Sequence, residues 1–201
     1  MIEVKRTGDL TQVVLNRPEK ANALTREMLV DLADVAEGAQ DAKAFVLTGE
    51  GRVFSAGADL DAARAGLAVD PVWERLSGAI AALPGFTIAA LNGSLAGGAF
   101  GMALACDMRI TVPSAKFFYP VMKLGFLPQP SDPKRLATLI GPARAKMVLM
   151  GGAKLTAEQA LDFGLVDQLV EPDQMEATIQ TLTSNALSAQ ADHIAGIKAL
   201  F

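Results

Sequence analysis

From Leu76 to Cys106 the chain runs for 31 residues without one charged side chain. No other feature narrows its possible folds as much, because so long an uncharged run is stable only inside a folded core or a membrane. Pro84-Gly85, Asn92-Gly93 and Gly97-Gly98 decide between the two. These dipeptides break the run into short elements, whereas a lipid-facing span must satisfy its backbone within one continuous helix. The run therefore reads as the deep core of a soluble α/β domain. Within it, Thr87-Ile88-Ala89 predicts a strand and Ala99 to Ala105 an apolar helix.

The flanking sequence carries the same alternation. Val13-Val14-Leu15, Phe45-Val46-Leu47 and Met108-Arg109-Ile110-Thr111-Val112 have the content of short, mostly buried strands. Met28, Leu32, Val35 and Ala39 recur at helical spacing behind Thr25, a suitable N-cap. Asp70-Pro71 and Asp132-Pro133 each predict a capping residue followed by proline at the first helical position. Thr156-Ala157-Glu158-Gln159 fits a capping box for a helix that closes before Gly164. A short strand from Leu165 to Val170 and a final helix from Asp173 complete the pattern. Strands alternating with helices predict an α/β fold. At about 150 residues per domain, 201 residues predict a single domain over 1–201, with a core at 1–170 and a helical segment at 171–201. No low-complexity tract, flexible linker or fixed-period repeat is present in the sequence.

Composition excludes several functions. With 51% hydrophobic and 20% charged residues the chain is not an extended disordered protein. Its 18 basic and 22 acidic residues give a net charge of −4, which excludes binding to nucleic acid through bulk basic charge. A single cysteine, Cys106, excludes a disulfide framework and any multi-thiolate metal site within one chain. No metal site and no membrane partner are expected. Met1-Ile2-Glu3-Val4-Lys5-Arg6 lacks the apolar run of a signal peptide, so a reducing, cytoplasmic setting is expected.

Two glycine-containing turns carry the chemical possibilities. Phe54-Ser55-Ala56-Gly57-Ala58-Asp59-Leu60 follows the strand ending at Thr48, and Asn92-Gly93-Ser94-Leu95-Ala96-Gly97-Gly98 opens the apolar helix. Small residues leave backbone N–H groups uncovered, and the second turn adds the positive end of a helix dipole. Two such amides converging on one carbonyl oxygen form an oxyanion hole. Tight turns and close helix–sheet packing account for the same glycines.

Further blocks resemble the enoyl-CoA hydratase/isomerase (crotonase) family. They include Leu15-Asn16-Arg17-Pro18-Glu19-Lys20-Ala21-Asn22-Ala23-Leu24, Val46-Leu47-Thr48-Gly49, the first turn, and Ile88-Ala89-Ala90-Leu91-Asn92-Gly93. Ala96-Gly97-Gly98, Ala103-Leu104-Ala105-Cys106-Asp107-Met108-Arg109-Ile110 and Ala115-Lys116-Phe117 continue it. Arg135-Leu136, Ile140-Gly141, Thr156 to Ala160 and Gly164-Leu165-Val166 extend it almost to the end, in family order. The resemblance implies a ClpP/crotonase-type superhelical spiral of ββα repeats, assembled as a homotrimer or hexamer. It also implies an acyl-CoA thioester substrate and a place in fatty acid metabolism, with no cofactor beyond the coenzyme A that the substrate carries. By position, Ala56 and Gly98 would supply the two oxyanion-hole amides, and Ala56, Gly57, Ala58 and Asp59 would line the bent CoA chain.

The acid/base half departs from the family pattern. Its two glutamate positions fall on Gly101 and Val121, and a third carboxylate position falls on Gln129, none of which transfers a proton at neutral pH. Val121 and Gln129 are expected to line the pocket. Asp132 is the acidic candidate, at the expected pocket mouth, although a helix N-cap before Pro133 accounts for it as well. Asp61 and Glu74 are expected to be solvated, Tyr119 to pack with its hydroxyl satisfied, Cys106 to be a core residue, and His193 to lie outside the site. Typical members continue beyond Phe201 with helices over the acyl pocket, so a shortened C-terminal segment is expected to alter the pocket or the assembly. Double-bond isomerisation, needing one base, is favoured over hydration. The alternative is a catalytically silent acyl-CoA-binding or scaffold protein.

Overall fold

A computed structural model describes residues 1–201. The chain opens with an antiparallel hairpin, β1 (Ile2–Thr7) and β2 (Leu10–Leu15), whose two-residue turn uses Gly8 at φ 57°. Helix α1 (Arg26–Glu37) follows, capped by Thr25, whose side chain accepts from Met28 N. Then β3 (Ala44–Gly49) and β4 (Val53–Ser55) lead into α2 (Leu60–Arg64) and α3 (Val72–Ala81). The next unit is β5 (Phe86–Leu91), β6 (Ser94–Ala96) and α4 (Phe100–Leu104), the last entered through a 3₁₀ turn at Gly97–Ala99. The third is β7 (Met108–Thr111), β8 (Lys116–Phe118), α5 (Val121–Leu124), α6 (Asp132–Ile140) and α7 (Pro142–Leu149). The chain finishes with β9 (Leu155–Thr156), α8 (Ala157–Phe163), β10 (Gln168–Leu169), α9 (Met175–Ser188) and α10 (Ala191–Lys198).

Each unit places its first strand in one sheet and its second in another. The larger sheet has the order β1-β2-β3-β5-β7-β10, parallel except for the β1–β2 hairpin. The smaller has the order β4-β6-β8-β9, with β4, β6 and β8 parallel. This is the ββα spiral that the resemblance implied. Strands buried on both faces explain the apolar runs: residues 44–47 and 87–91 are buried throughout. One cluster of 51 buried apolar residues spans Val13 to Ile179 and takes in about half of the uncharged run, including Ile88–Leu91 and Met102–Cys106.

Several expected boundaries shift. Leu165 and Val166 are buried in the turn after α8, and only Gln168–Leu169 pairs with β7. The expected final helix is two helices, interrupted where Ala189 and Gln190 adopt extended backbone. The Asp70 cap is present, its Oδ1 accepting from Val72 N at 2.9 Å. The capping box is also present, Thr156 Oγ1 accepting from Gln159 N while Gln159 Oε1 accepts from Thr156 N.

For function, the smaller sheet matters most. Its three parallel strands β4, β6 and β8 end side by side at Ser55, Ala96 and Phe118. The segments that follow these carboxyl ends form one concave surface, where open α/β sheets usually bind ligands.

Candidate active site

The turns after β4 and β6 touch. Gly57 and Gly97 both have left-handed backbone, φ 88° and φ 57°. A Cβ on Gly57 would lie 2.8 Å from the Ala96 carbonyl oxygen, and one on Gly97 would lie 3.7 Å from Gly57 Cα. The close approach itself requires glycine at 57, while at 97 it is the left-handed backbone that favours glycine. Ala58 and Gly98 each follow one of these glycines, and both line a cavity of about 460 Å³.

The hydrogen bonds of the first turn select the available donor. Ala56 N–H donates to Ala21 O at 2.9 Å, Gly57 N–H to Ser55 Oγ at 3.1 Å, and Asp59 N–H to Leu24 O at 2.8 Å. Ala58 N–H alone has no acceptor, and Gly98 N–H has none either. The expectation for Ala56 is therefore corrected: it lines the cavity, but its amide is occupied by the Ala21–Leu24 segment that runs alongside. That segment is held by Asn22, buried at φ 51°, whose side chain bonds Arg17 N, Glu50 O and Val53 O. Nothing within the turn sequence itself signals this neighbour.

Val121 and Gln129 line the same cavity, as expected. Gln129 Nε2 donates to Ala68 O at 3.1 Å, which fixes the amide. Gly57 and Asp59 do not line it. Asp59 instead receives Arg17 Nη1 at 2.9 Å and caps α2, its Oδ1 accepting from Asp61 N and Ala62 N. The Arg17 hydrogen bond, aided by the Ala62 amide, holds the Asp59 carboxyl below its ordinary range. Asp59 is a brace for the turn, not part of the cavity wall. Asp61 is exposed and paired with Arg64.

The second half of the cavity is made of side chains. The Trp73 ring lies over Gly98, within 3.2 Å of where a Cβ would stand, and its Nε1 donates to Leu67 O at 2.7 Å. Tyr119 lines the cavity and stacks on Phe100, ring centroids 5.3 Å apart. Its hydroxyl donates to Asp132 Oδ2 at 2.8 Å. Asp132 is fully buried, against the expectation of a place at the pocket mouth. It is not the helix cap either. Glu74, expected to be solvated, reaches from α3 to accept from Ser131 N at 3.0 Å and Ser131 Oγ at 2.6 Å, covering the start of α6. With that end covered, the Asp132 side chain turns inward toward Gly101, where a Cβ would come within 3.0 Å of Oδ1. Burial, reinforced by the Glu74 charge, pushes the Asp132 carboxyl up to about 7 despite the Tyr119 hydrogen bond and the Arg135 charge. Burial and the Asp132 carboxylate push the Tyr119 hydroxyl well above the ordinary phenol value.

The remaining candidates lie elsewhere. Cys106 is a buried core residue, its thiol pushed up to about 12 by burial. His193 lines a larger cavity of about 910 Å³ between α9, α10 and the edge of β5, remote from both turns. No group of three or more metal-ligating side chains comes together, and no helix is long and apolar enough to cross a membrane.

The enoyl-CoA hydratase/isomerase family profile matches residues 5–201, and the chain belongs to that family. YngF of Bacillus subtilis, named for the same family, is 37% identical over 187 residues, covering 88% of this chain and 71% of its own. A crotonyl-CoA hydratase of Syntrophomonas wolfei is 30% identical over 196 residues, covering 93% and 75%. Among solved structures, Pseudomonas aeruginosa DspI superposes with a TM-score of 0.90 at 32% identity, covering 99% of this chain and 85% of that one.

Proposed function

We propose that the protein is an enzyme that binds an acyl-CoA thioester with its carbonyl oxygen between the Ala58 and Gly98 amides and stabilises the enolate formed when a neighbouring carbon loses a proton. One observation carries this reading: both amides lack an acceptor, and both line the same apolar cavity. Donors held in place by folding favour the charged oxygen over the neutral carbonyl, which is how they lower the barrier. Enlisting the Ala58 amide keeps the expected electrostatic role and moves it two residues along the turn.

Isomerisation of a carbon–carbon double bond is the favoured reaction. It needs one proton carrier, whereas hydration also needs an activated water, and Gly101 and Val121 offer no carboxylate for it. Coenzyme A is part of the substrate, and no separate cofactor enters the reading. Assembly as a trimer or a pair of trimers belongs to the same reading, and light scattering tests it.

Exchange of the thioester α-hydrogens with deuterated solvent tests the reading without knowledge of the acyl chain. Exchange, together with conversion of a 3-enoyl-CoA to the conjugated 2-enoyl form, is the expected result. Thermal stabilisation by CoA esters without exchange at any chain length would favour the silent binder instead.

A further inference from the structure

The two free amides account for the oxygen of the thioester but not for the proton, and no carboxylate lines the cavity. We propose that Tyr119 is the group that exchanges protons with the substrate carbon, and that Asp132 is the positioning residue that takes and returns the proton through the Tyr119 hydroxyl. The proposal rests on the enolate reading and deepens it.

Three observations converge on this pair. Tyr119 stands in the cavity wall directly after β8, and its ring is fixed against Phe100, two residues beyond the free Gly98 amide. Asp132 reaches the cavity only through Tyr119, being fully buried and absent from the lining. Its Oδ1 has no hydrogen-bond partner, although a buried carboxylate is costly unless its lone pairs are satisfied. A purely structural role does not account for that cost. Capping of α6 falls to Glu74, and an apolar residue would fill the space beside Gly101 more cheaply. Gly101 leaves room for the carboxylate, since a Cβ there would stand 3.0 Å from Oδ1 and press it aside. Gly101, where the resemblance places an acid, thus borders the space that the Asp132 carboxylate occupies.

The step balances within the site. The Tyr119 oxygen takes a proton from the carbon beside the thioester carbonyl while its own proton moves to Asp132 Oδ2. The C–H electron pair becomes the enolate double bond, and the carbonyl pair moves onto the oxygen held by Ala58 and Gly98. Return of the proton from Asp132, through Tyr119, to the γ-carbon of the resulting dienolate shifts the double bond and restores both side chains. No other reactant is consumed. The groups facing Asp132 are Glu74 from α3, which raises its proton affinity, Arg135 from its own helix, which lowers it, and Tyr119; α4 presents nothing charged. The balance leaves a carboxyl that titrates near neutrality, suited to receiving and releasing a proton.

The test uses the whole chain and an acyl-CoA in deuterated solvent. Tyr119→Phe removes one oxygen and is expected to slow exchange by about 10²–10⁴-fold while acyl-CoA affinity stays within about twofold. Asp132→Asn leaves an acceptor for the Tyr119 hydroxyl but cannot take a proton. It is expected to slow exchange similarly and to lose the rise in rate with pH through about 7. A merely structural Asp132 would leave that limb in place. Wild-type exchange that survives Tyr119→Phe, or a pH limb that survives Asp132→Asn, overturns the pairing alone. Failure of the unaltered protein both to exchange and to isomerise a 3-enoyl-CoA while it binds the ester overturns the enolate reading and the pairing together. If Asp132→Asn does not fold, the Tyr119→Phe rate decides.

Discussion

The two halves of the site are built from different materials. The oxygen-binding half is backbone: two amides, each placed by a left-handed glycine at the end of a parallel strand. The proton-handling half is side chain: Tyr119 from β8's end and Asp132 from α6, brought together across thirteen residues of chain. Backbone function survives most substitutions of neighbouring side chains, because it depends on the path of the chain. Side-chain function moves with a single replacement, and the acid proposed here stands on α6, away from the Gly101, Val121 and Gln129 positions where the resemblance places acids.

Disturbing the backbone half is expected to have the largest effect. Gly57→Ala combines a φ of 88° with a Cβ placed 2.8 Å from the Ala96 carbonyl, so the two turns must separate. Left-handed strain alone costs about 1–3 kcal/mol, and loss of one aligned donor lowers rates by about 10²–10³-fold. Thermal melting and α-hydrogen exchange would record both losses together.

The side-chain half should reveal itself through pH. Asp132 titrates at about 7 in the folded protein and at the ordinary aspartate value of 3.8 when unfolded, so the native state holds the proton more tightly. Stability from this group is complete below about pH 4, falls as pH rises toward about 7, and is level above that. Asp132→Asn should remove this decline, gaining on the native protein by a few kcal/mol, on the order of 1.4 kcal/mol per pH unit, across that window. Urea denaturation from pH 4 to 8 measures it. Parallel pH profiles for the two proteins would mean that Asp132 is not protonated on folding.

Gly101→Ala probes the space that admits the acid. Its Cβ would meet Asp132 Oδ1 at 3.0 Å, costing about 1–3 kcal/mol by overpacking. The added methyl also puts another apolar group against the carboxyl, so the pH limb of exchange should move upward. An unchanged limb with unchanged stability would show that the carboxylate does not rest against Gly101.

Asp59→Ala should do least to chemistry. It removes the cap of α2 and the Arg17 pair, a loss of about 1 kcal/mol for the cap. Because hydrogen bonding to Arg17 lowers the Asp59 carboxyl, this contribution is present at neutral pH and fades as pH falls through that lowered value. Isothermal titration should find acyl-CoA affinity nearly intact. A large loss of affinity would return Asp59 to the binding surface.

Much of this molecule was legible as sequence. The buried strands announced themselves as apolar runs, since both faces of β3 and β5 are covered, and Thr25, Asp70 and the Thr156 box marked helix starts by local hydrogen bonding. The three-residue strands β4, β6 and β8 left no periodicity to detect, and neither did the ββα repeat, whose units begin at unequal intervals at Ala44, Phe86 and Met108. The site divided in the same way. Gly57 and Gly97 flagged the turns, but the choice of Ala58 over Ala56 depends on Ala21, over thirty residues away in sequence. Asp132-Pro133 looked like a cap because the local rule knows nothing of Glu74, which reaches in from α3 and frees the carboxylate for the interior.

Labelling the thioester carbonyl with carbon-13 and the protein amides with nitrogen-15 brings the matter to one spectrum. On binding, the carbonyl resonance should move downfield, and the Ala58 and Gly98 amide signals should shift while that of Ala56, already bonded to Ala21, stays in place. A bound ester whose carbonyl is unmoved, or which perturbs Ala56 in preference to Ala58, would contradict the account.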